Sequence, residues 1–338
     1  MTNETLATYA NLSIYSAMGV LTLAMIGYAL YLAGLVPQRG EAALAETETR
    51  VRERVGSGVR SGGAADGGVA GVAPVHGTSG RVALDASTPA RARKAAGVAQ
   101  SLSWLGAILL VAAVALRGLS VQRAPLGNMH EFAVAGAMFV MVGFCLWGLR
   151  RDLRWLGLFI TAPVLLTLGM AITVWYTEAA ELLPSLKSYW LVIHVTVATL
   201  AVAMCVLGFA VTALYLAKDT FIERGRSSFL DRLPAAKELE KASYGIHIVA
   251  FPLWTFTLIA GAIWAQEAWG SYWNWDPKEV WTFVIWVVYA AYLHARATTT
   301  TARRTAAWIA IAGFACIVIN YTVVNMYFVG QHSYSGIQ

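Results

Sequence analysis

The chain has 338 residues, of which 58% are hydrophobic and 13% charged, and its mean hydropathy is +0.58. This composition argues against a soluble enzyme and indicates a polytopic membrane protein. The net charge of +6 comes from Lys and Arg placed between hydrophobic segments, so we interpret it as a topology signal and not as a patch that binds nucleic acid.

Eight apolar runs are long enough for a helix to cross a bilayer, which takes about 20 residues. They extend approximately over Leu12 to Leu35, Val98 to Leu119, Met129 to Leu149, Leu153 to Tyr176, Tyr189 to Ala217, Tyr244 to Gln266, Glu279 to Ala297 and Thr305 to Val329. The first run lacks a small-residue cleavage site, so we expect an anchor and not a signal peptide. The pattern predicts an all-α, polytopic membrane bundle of about eight helices.

The distribution of Lys and Arg predicts the orientation of these spans. Of the 25 such residues, only Arg117, Arg123, Lys187 and Lys278 lie on one side of the membrane, and all others lie in the alternate loops. Because cytoplasmic loops collect positive charge, both termini and the loop at 267–278 are expected to lie outside.

Residues 38–97 are rich in Gly, Ala, Ser and Arg and contain few large apolar side chains. Such a segment buries too little surface to offset the entropy of ordering, so we predict a disordered cytoplasmic linker. The chain then divides into a first transmembrane helix (1–37), this linker (38–97) and a seven-helix domain (98–338).

Two histidines and a cluster of tryptophans are predicted to meet at the outer face. His194 lies near the start of the fifth run, His332 follows the eighth, and "WGSYWNWDPKE" contributes Trp269, Trp273 and Trp275. Two imidazoles can bind haem iron axially while indole rings pack on the macrocycle, whereas a zinc site would be incomplete. The alternative is an interfacial aromatic belt with histidines that bond to carbonyl groups.

The end of this motif also has a structural interpretation. Asp276, Pro277 and Glu279 form the N-cap, first position and third position of a capping box that opens the seventh span. Lys278 either pairs with a carboxylate, such as a haem propionate, or is a solvated lysine. The cluster around Asn128 is expected to cap the third span or to support the aromatic loop.

The stretch "WGSYWNWD" resembles the WWD motif, W-G-x-x-W-x-W-D, of the haem-handling superfamily of cytochrome c maturation. Together with "YLHAR" and "GQHSYSG", it resembles the CcsA/ResC-type subunit, also named CcsB, of the System II cytochrome c synthase. The resemblance covers residues from about Val98 to the C-terminus and does not include the linker.

This resemblance implies a function and a set of site residues. His194 and His332 match the external axial ligands of haem b, here a transported substrate, and the WWD loop with Trp269, Trp273, Trp275 and Asp276 matches the cofactor-binding segment. His294 matches the histidine that takes haem from the cytoplasmic side. His247 is either its axial partner or, as we prefer, a histidine at the end of a helix that bonds to a carbonyl or to a lipid head group.

The family's reaction is the addition of two thiols of an apocytochrome c CxxCH motif to the vinyl groups of haem, on the outer face of the bacterial plasma membrane. A ResB-type membrane subunit is the implied partner, and a thiol-reducing pathway is implied indirectly. The alternatives are a System I-like haem exporter, a membrane electron-transfer cytochrome and a transporter without a cofactor. Eight spans favour System II over the System I proteins.

Overall fold

The structure, a computed structural model, describes residues 3–34, 89–180, 182, 186–223, 230, 233–298 and 303–332. Over these residues all regular structure is helical, and eight helices are long and apolar enough to cross a membrane. They are α1 (Glu4–Gly34), α2 (Ala90–Val121), α3 (Met129–Gly148), α4 (Gly157–Thr173, after a 3₁₀ turn at Arg154–Leu156), α5 (Tyr189–Glu223), α6 (Ala236–Trp269), α7 (Pro277–Thr298) and α8 (Arg303–Ile319). The predicted polytopic helical fold is confirmed, whereas the side on which the termini lie stays a prediction.

Helices α1 and α2 pack closely because small residues face each other along their contact. A Cβ atom at Gly27 would lie 2.9 Å from the Cβ of Ala99, and one at Gly34 would lie 2.7 Å from that of Ala92. Helix α2 starts at Ala90, so its first eight residues, 90–97, belong to the segment that the sequence analysis places in the linker. The rest of that linker, apart from Pro89, lies outside the described residues.

The last four helices pack together: α5 packs along α6, α6 contacts α7, and α8 packs on α5 and α7. Helix α3 contacts α2, α4 and α5, and α4 also packs on α1. Gly208 of α5 leaves room for His247 of α6, since a Cβ atom there would lie 2.5 Å from the imidazole Cε1. Close helix contacts at glycine are typical of membrane bundles.

A buried ion cluster fixes the loop between α2 and α3. Glu131, 2% exposed, accepts hydrogen bonds from Arg117 (3.2 Å), Arg123 (2.8 Å) and the backbone N–H of Gly127 (2.8 Å). Asn128 caps α3 by accepting the Glu131 N–H at 2.9 Å, as the sequence predicts. This loop forms part of the cavity described next.

Candidate functional site

One cavity of about 230 Å³ lies between α5, α6, α7 and α8. It is found at the end of the bundle where α6 finishes and α7 begins, which we name the outer end because the charge pattern predicts that it faces outside. Its walls are mainly aromatic and aliphatic, and both His194 and His332 line it. The predicted convergence of these two distant segments is therefore present in the structure.

His194 is held by α6 in an orientation suited to metal binding. Its Nδ1 lies 3.0 Å from the carbonyl oxygen of Thr257, and the ring lies beside Trp264 at a centroid distance of 5.7 Å. Because a carbonyl only accepts, Nδ1 carries the proton and the Nε2 lone pair is left for a ligand. Gly261 makes room for the ring, since a Cβ there would lie 2.8 Å from Cε1.

His332 is held by a carboxylate in place of a carbonyl. Its Nδ1 donates to Oδ1 of Asp276 at 2.8 Å, and its ring meets Trp269 edge to face at 4.8 Å. Asp276 Oδ2 accepts the Gln331 N–H at 2.6 Å, so the same side chain fixes the backbone beside His332. A carboxylate behind a ligating imidazole fixes the tautomer and raises the basicity of the other nitrogen.

The Asp276 carboxyl also serves the start of α7. It accepts the Lys278 N–H at 3.0 Å, while Glu279 accepts the Asp276 N–H at 3.1 Å, so the predicted capping box is confirmed. Burial raises the pKa of the Asp276 carboxyl, but His332 and the N–H groups of Lys278 and Gln331 outweigh burial, and the net pKa lies below the ordinary value. The group is thus a carboxylate at neutral pH.

The three predicted tryptophans of the loop have different positions. Trp269 and Trp273 line the cavity, together with Trp254, Trp264 and Tyr272. Trp275 does not line it: its side chain is 77% exposed and its φ is +57°, in the left-handed region that a tryptophan rarely adopts. The structure thus places Trp275 against Trp273 on the outer surface, with ring centroids 5.8 Å apart.

The inner histidines, His247 and His294, do not line this cavity. His294 is exposed on α7, sixteen residues beyond Lys278, and its carbonyl accepts the Thr298 hydroxyl. His247 is 1% exposed and its Nδ1 lies 2.8 Å from the Ser243 carbonyl, so the predicted bond to a carbonyl is present. Its predicted position at a helix end is wrong, because α6 begins at Ala236 and His247 lies inside it. Its Nε2 is buried without a partner among the described residues, and its ring contacts those of Tyr289 and Tyr292, with centroids 5.4 and 4.9 Å away.

Several cavity residues are not apparent from the sequence motif. Thr257 contributes its backbone carbonyl to His194, and Gly261 contributes the space that its missing side chain leaves. Asn320 and Tyr321 also line the cavity, and they lie where α8 continues as a π-helical turn at Asn320–Val324. Such turns occur often at functional sites. The one sequence signal for them is the pair of asparagines, Asn320 and Asn325, in an otherwise apolar span.

Fold and site together define a multi-pass membrane protein with a two-histidine, tryptophan-walled cavity at one end of a helical bundle. The family model described as "Cytochrome C assembly protein" matches residues 100–332. The chain therefore belongs to the cytochrome c assembly protein family, as the WWD-like motif predicts, and acts in cytochrome c biogenesis.

Individual relatives agree with this assignment. The chain is 34% identical to the cytochrome c biogenesis protein CcsA of Guillardia theta over 241 residues, which are 62% of this chain and 76% of that protein. It is 33% identical to CcsA of Picosynechococcus sp. over 279 residues, and the match covers 64% of this chain and 82% of that protein. Among solved structures, a cytochrome c haem lyase CcmF matches with a TM-score of 0.60 over 95% of this chain. That match has 14% identity and covers 47% of the lyase, so it supports the fold alone.

Proposed function

We propose that this chain is the haem-binding and haem-delivery subunit of a membrane cytochrome c synthase, which presents haem b on the outer face for thioether attachment to apocytochrome c. One observation carries this proposal. His194 and His332, 138 residues apart in sequence, line one aromatic cavity, and each has Nδ1 engaged so that Nε2 can bind iron.

The attachment reaction does not require a nucleophilic side chain from this subunit. Each cysteine thiol of CxxCH adds across one vinyl group, its sulfur bonding to one carbon and its hydrogen to the other, so no group leaves. The described residues that line the cavity include neither cysteine nor serine. The contribution of this chain is therefore to hold the iron, exclude water and orient the porphyrin edge.

His294 supports a second, inner haem position that is completed by another chain. It is exposed on α7, where a ligand from a second chain could reach the other axial position of the iron. A ligand from a ResB-type partner subunit would complete the coordination. We further propose a bacterial plasma membrane location with both termini outside, and thiols kept reduced by a separate pathway.

The proposal is tested by the absorbance spectrum of the full-length protein purified in detergent. We expect a Soret band and the low-spin visible bands of iron with two histidine ligands, both lost in His194→Ala and His332→Ala. His130 gives a matched control, because it is buried and bonded through Nδ1 to a carbonyl (Ala171, 2.9 Å) but does not line the cavity. A wild-type protein that binds no haem, or equal loss in His130→Ala, would contradict it.

A further inference from the structure

Glu279 is the one carboxylate among the described residues that line the cavity. Its Oε2 accepts the backbone N–H groups of Asn274 (2.9 Å) and Asp276 (3.1 Å), which is the capping role that the sequence predicts. Its Oε1 is buried and accepts no hydrogen bond from the described residues, and the residue is 9% exposed. The capping bonds therefore fix the carboxylate and leave one oxygen to act on a ligand.

A second oxygen in the same cavity also lacks a donor. Oδ1 of Asn320, in the π-helical turn, is buried without a hydrogen bond among the described residues. Buried polar atoms are nearly always bonded, so two such acceptors indicate a ligand that brings hydrogen-bond donors. Haem cannot supply these donors, because its pyrrole nitrogens bind iron and its ionised propionates only accept. The thiols of CxxCH can supply them, since each carries an S–H donor.

The histidines, Tyr321 and Lys278 of the cavity are less suited than Glu279 to accept a proton from a thiol. His194 and His332 present Nε2 for the iron, and the Tyr321 hydroxyl donates to a backbone carbonyl at 2.6 Å. Lys278 lines the cavity too, but an ammonium group has no lone pair with which to accept. No ion pair joins Glu279 to a basic residue in the described part of the chain.

The attachment reaction has a step that a carboxylate oxygen can serve. The thiol hydrogen must move from sulfur to the terminal vinyl carbon while the sulfur bonds to the other vinyl carbon. Direct transfer passes through a strained four-membered arrangement of sulfur, hydrogen and the two carbons. A carboxyl group that carries the proton between the two atoms removes this strain, and general acid–base catalysis contributes about 10²–10⁴-fold.

We propose that Glu279 is the proton-transfer group of thioether formation, an inference that rests on the proposed function. Its Oε1 accepts the thiol proton, which makes the sulfur a thiolate nucleophile. It then donates that proton to the terminal vinyl carbon as the sulfur bonds to the carbon next to the ring. The S–H bond and the vinyl π bond break, an S–C bond and a C–H bond form, and Glu279 ends as a carboxylate. The step consumes no oxidant or reductant.

Glu279→Gln separates proton transfer from capping, because glutamine keeps a carbonyl oxygen for the two N–H groups but cannot carry the proton. We expect the purified full-length variant to keep the haem occupancy and the Soret band of wild type. Thioether formation is measured in membranes of cells that make the complete synthase, reduced with dithionite and supplied with a reduced CxxCH peptide. Its rate, read from the blue shift of the haem α band as the vinyl groups become saturated, should fall about 10²–10⁴-fold. Glu267→Gln is the control, because this glutamate bonds to Ser188 (3.1 Å) and does not line the cavity.

The outcomes separate the two proposals. Wild-type protein without haem, or wild-type membranes that form no thioether, would overturn the proposed function and this inference with it. If Glu279→Gln forms the thioether at the wild-type rate, or loses haem in proportion to its loss of attachment, the proposed function stands and Glu279 is a helix cap alone. Heavy water gives a test that needs no variant: attachment by wild type should slow when a deuteron is transferred, and an equal rate would contradict the inference.

Discussion

Replacement of Asp276 by Asn tests whether the orientation of His332 matters for ligand binding. The carboxylate is 6% exposed and accepts three hydrogen bonds, from His332, Gln331 and Lys278. An amide has one acceptor oxygen, so its NH₂ group would face a donor, either Nδ1–H of His332 or the N–H of Gln331. Losing a charge-assisted bond and leaving a buried donor unpaired costs about 1.5–3 kcal/mol.

We therefore expect Asp276→Asn to weaken haem binding about 10- to 100-fold, the range found for residues that orient metal ligands. The assay is a Soret titration of the purified variant. Asn274→Ala is a matched control, because it removes an exposed bond to Gln331 (3.1 Å) in the same loop contact without touching His332. Wild-type affinity in Asp276→Asn, or equal loss in Asn274→Ala, would refute the orienting role.

The same carboxylate predicts a pH dependence. Its pKa in the folded protein lies below the ordinary value of 3.8, so its interactions contribute their full stability above that pH. This contribution is lost as the pH falls through the lowered pKa, where the carboxylate takes up a proton. Thermal unfolding measured across the acid range should show this loss in wild type, and Asp276→Asn should lack it.

Three other predictions concern the cavity, the loop and the linker. Gly261→Ala should lower haem affinity at least tenfold in the same titration, because the new methyl group would lie 2.8 Å from Cε1 of His194. Gly245→Ala in the same helix is the control and should leave the affinity unchanged, since its methyl group meets nothing within 4 Å. Trp273→Ala should lower haem occupancy and Trp275→Ala should not, because of these two residues Trp273 lines the cavity and Trp275 does not. Equal losses of haem in the two variants would contradict this assignment. Deleting residues 45–85 should leave cytochrome c assembly intact, as judged by haem staining of membrane proteins, and loss of assembly at normal protein level would reveal a function of that segment.

The helices could be predicted from the sequence because membrane insertion depends on hydrophobicity summed over a whole span. The ends of the helices could not be predicted, because some helices continue through polar residues beyond the apolar run. Helix α6 begins at Ala236 and α2 at Ala90, each about eight residues before its apolar run. In α2 the small residues Ala92 and Ala96 are buried. Composition alone assigned these alanines to the linker, since it carries no information about a packing partner.

The sequence predicted which residue types form the site, but not which of these side chains face the cavity. The motif contains Trp273 and Trp275 two positions apart, and only the backbone, with φ at +57° in Trp275, shows that one faces the cavity and the other the surface. The bond from His194 to Thr257 and the π-helical turn at Asn320–Val324 are set by the packing of α5, α6 and α8. Such contacts between distant residues leave no local pattern in a single sequence.

The central claim is that His194 and His332 bind one haem iron, and rescue by imidazole tests it most directly. Removing either side chain should abolish covalent haem attachment to a reporter cytochrome c in cells, because neighbouring packing cannot replace a bond to iron. Added imidazole fills a space of the same shape as the missing ring, so attachment should return in His194→Ala and in His332→Ala but not in Trp273→Ala. Full attachment in either His→Ala protein without imidazole would contradict the account.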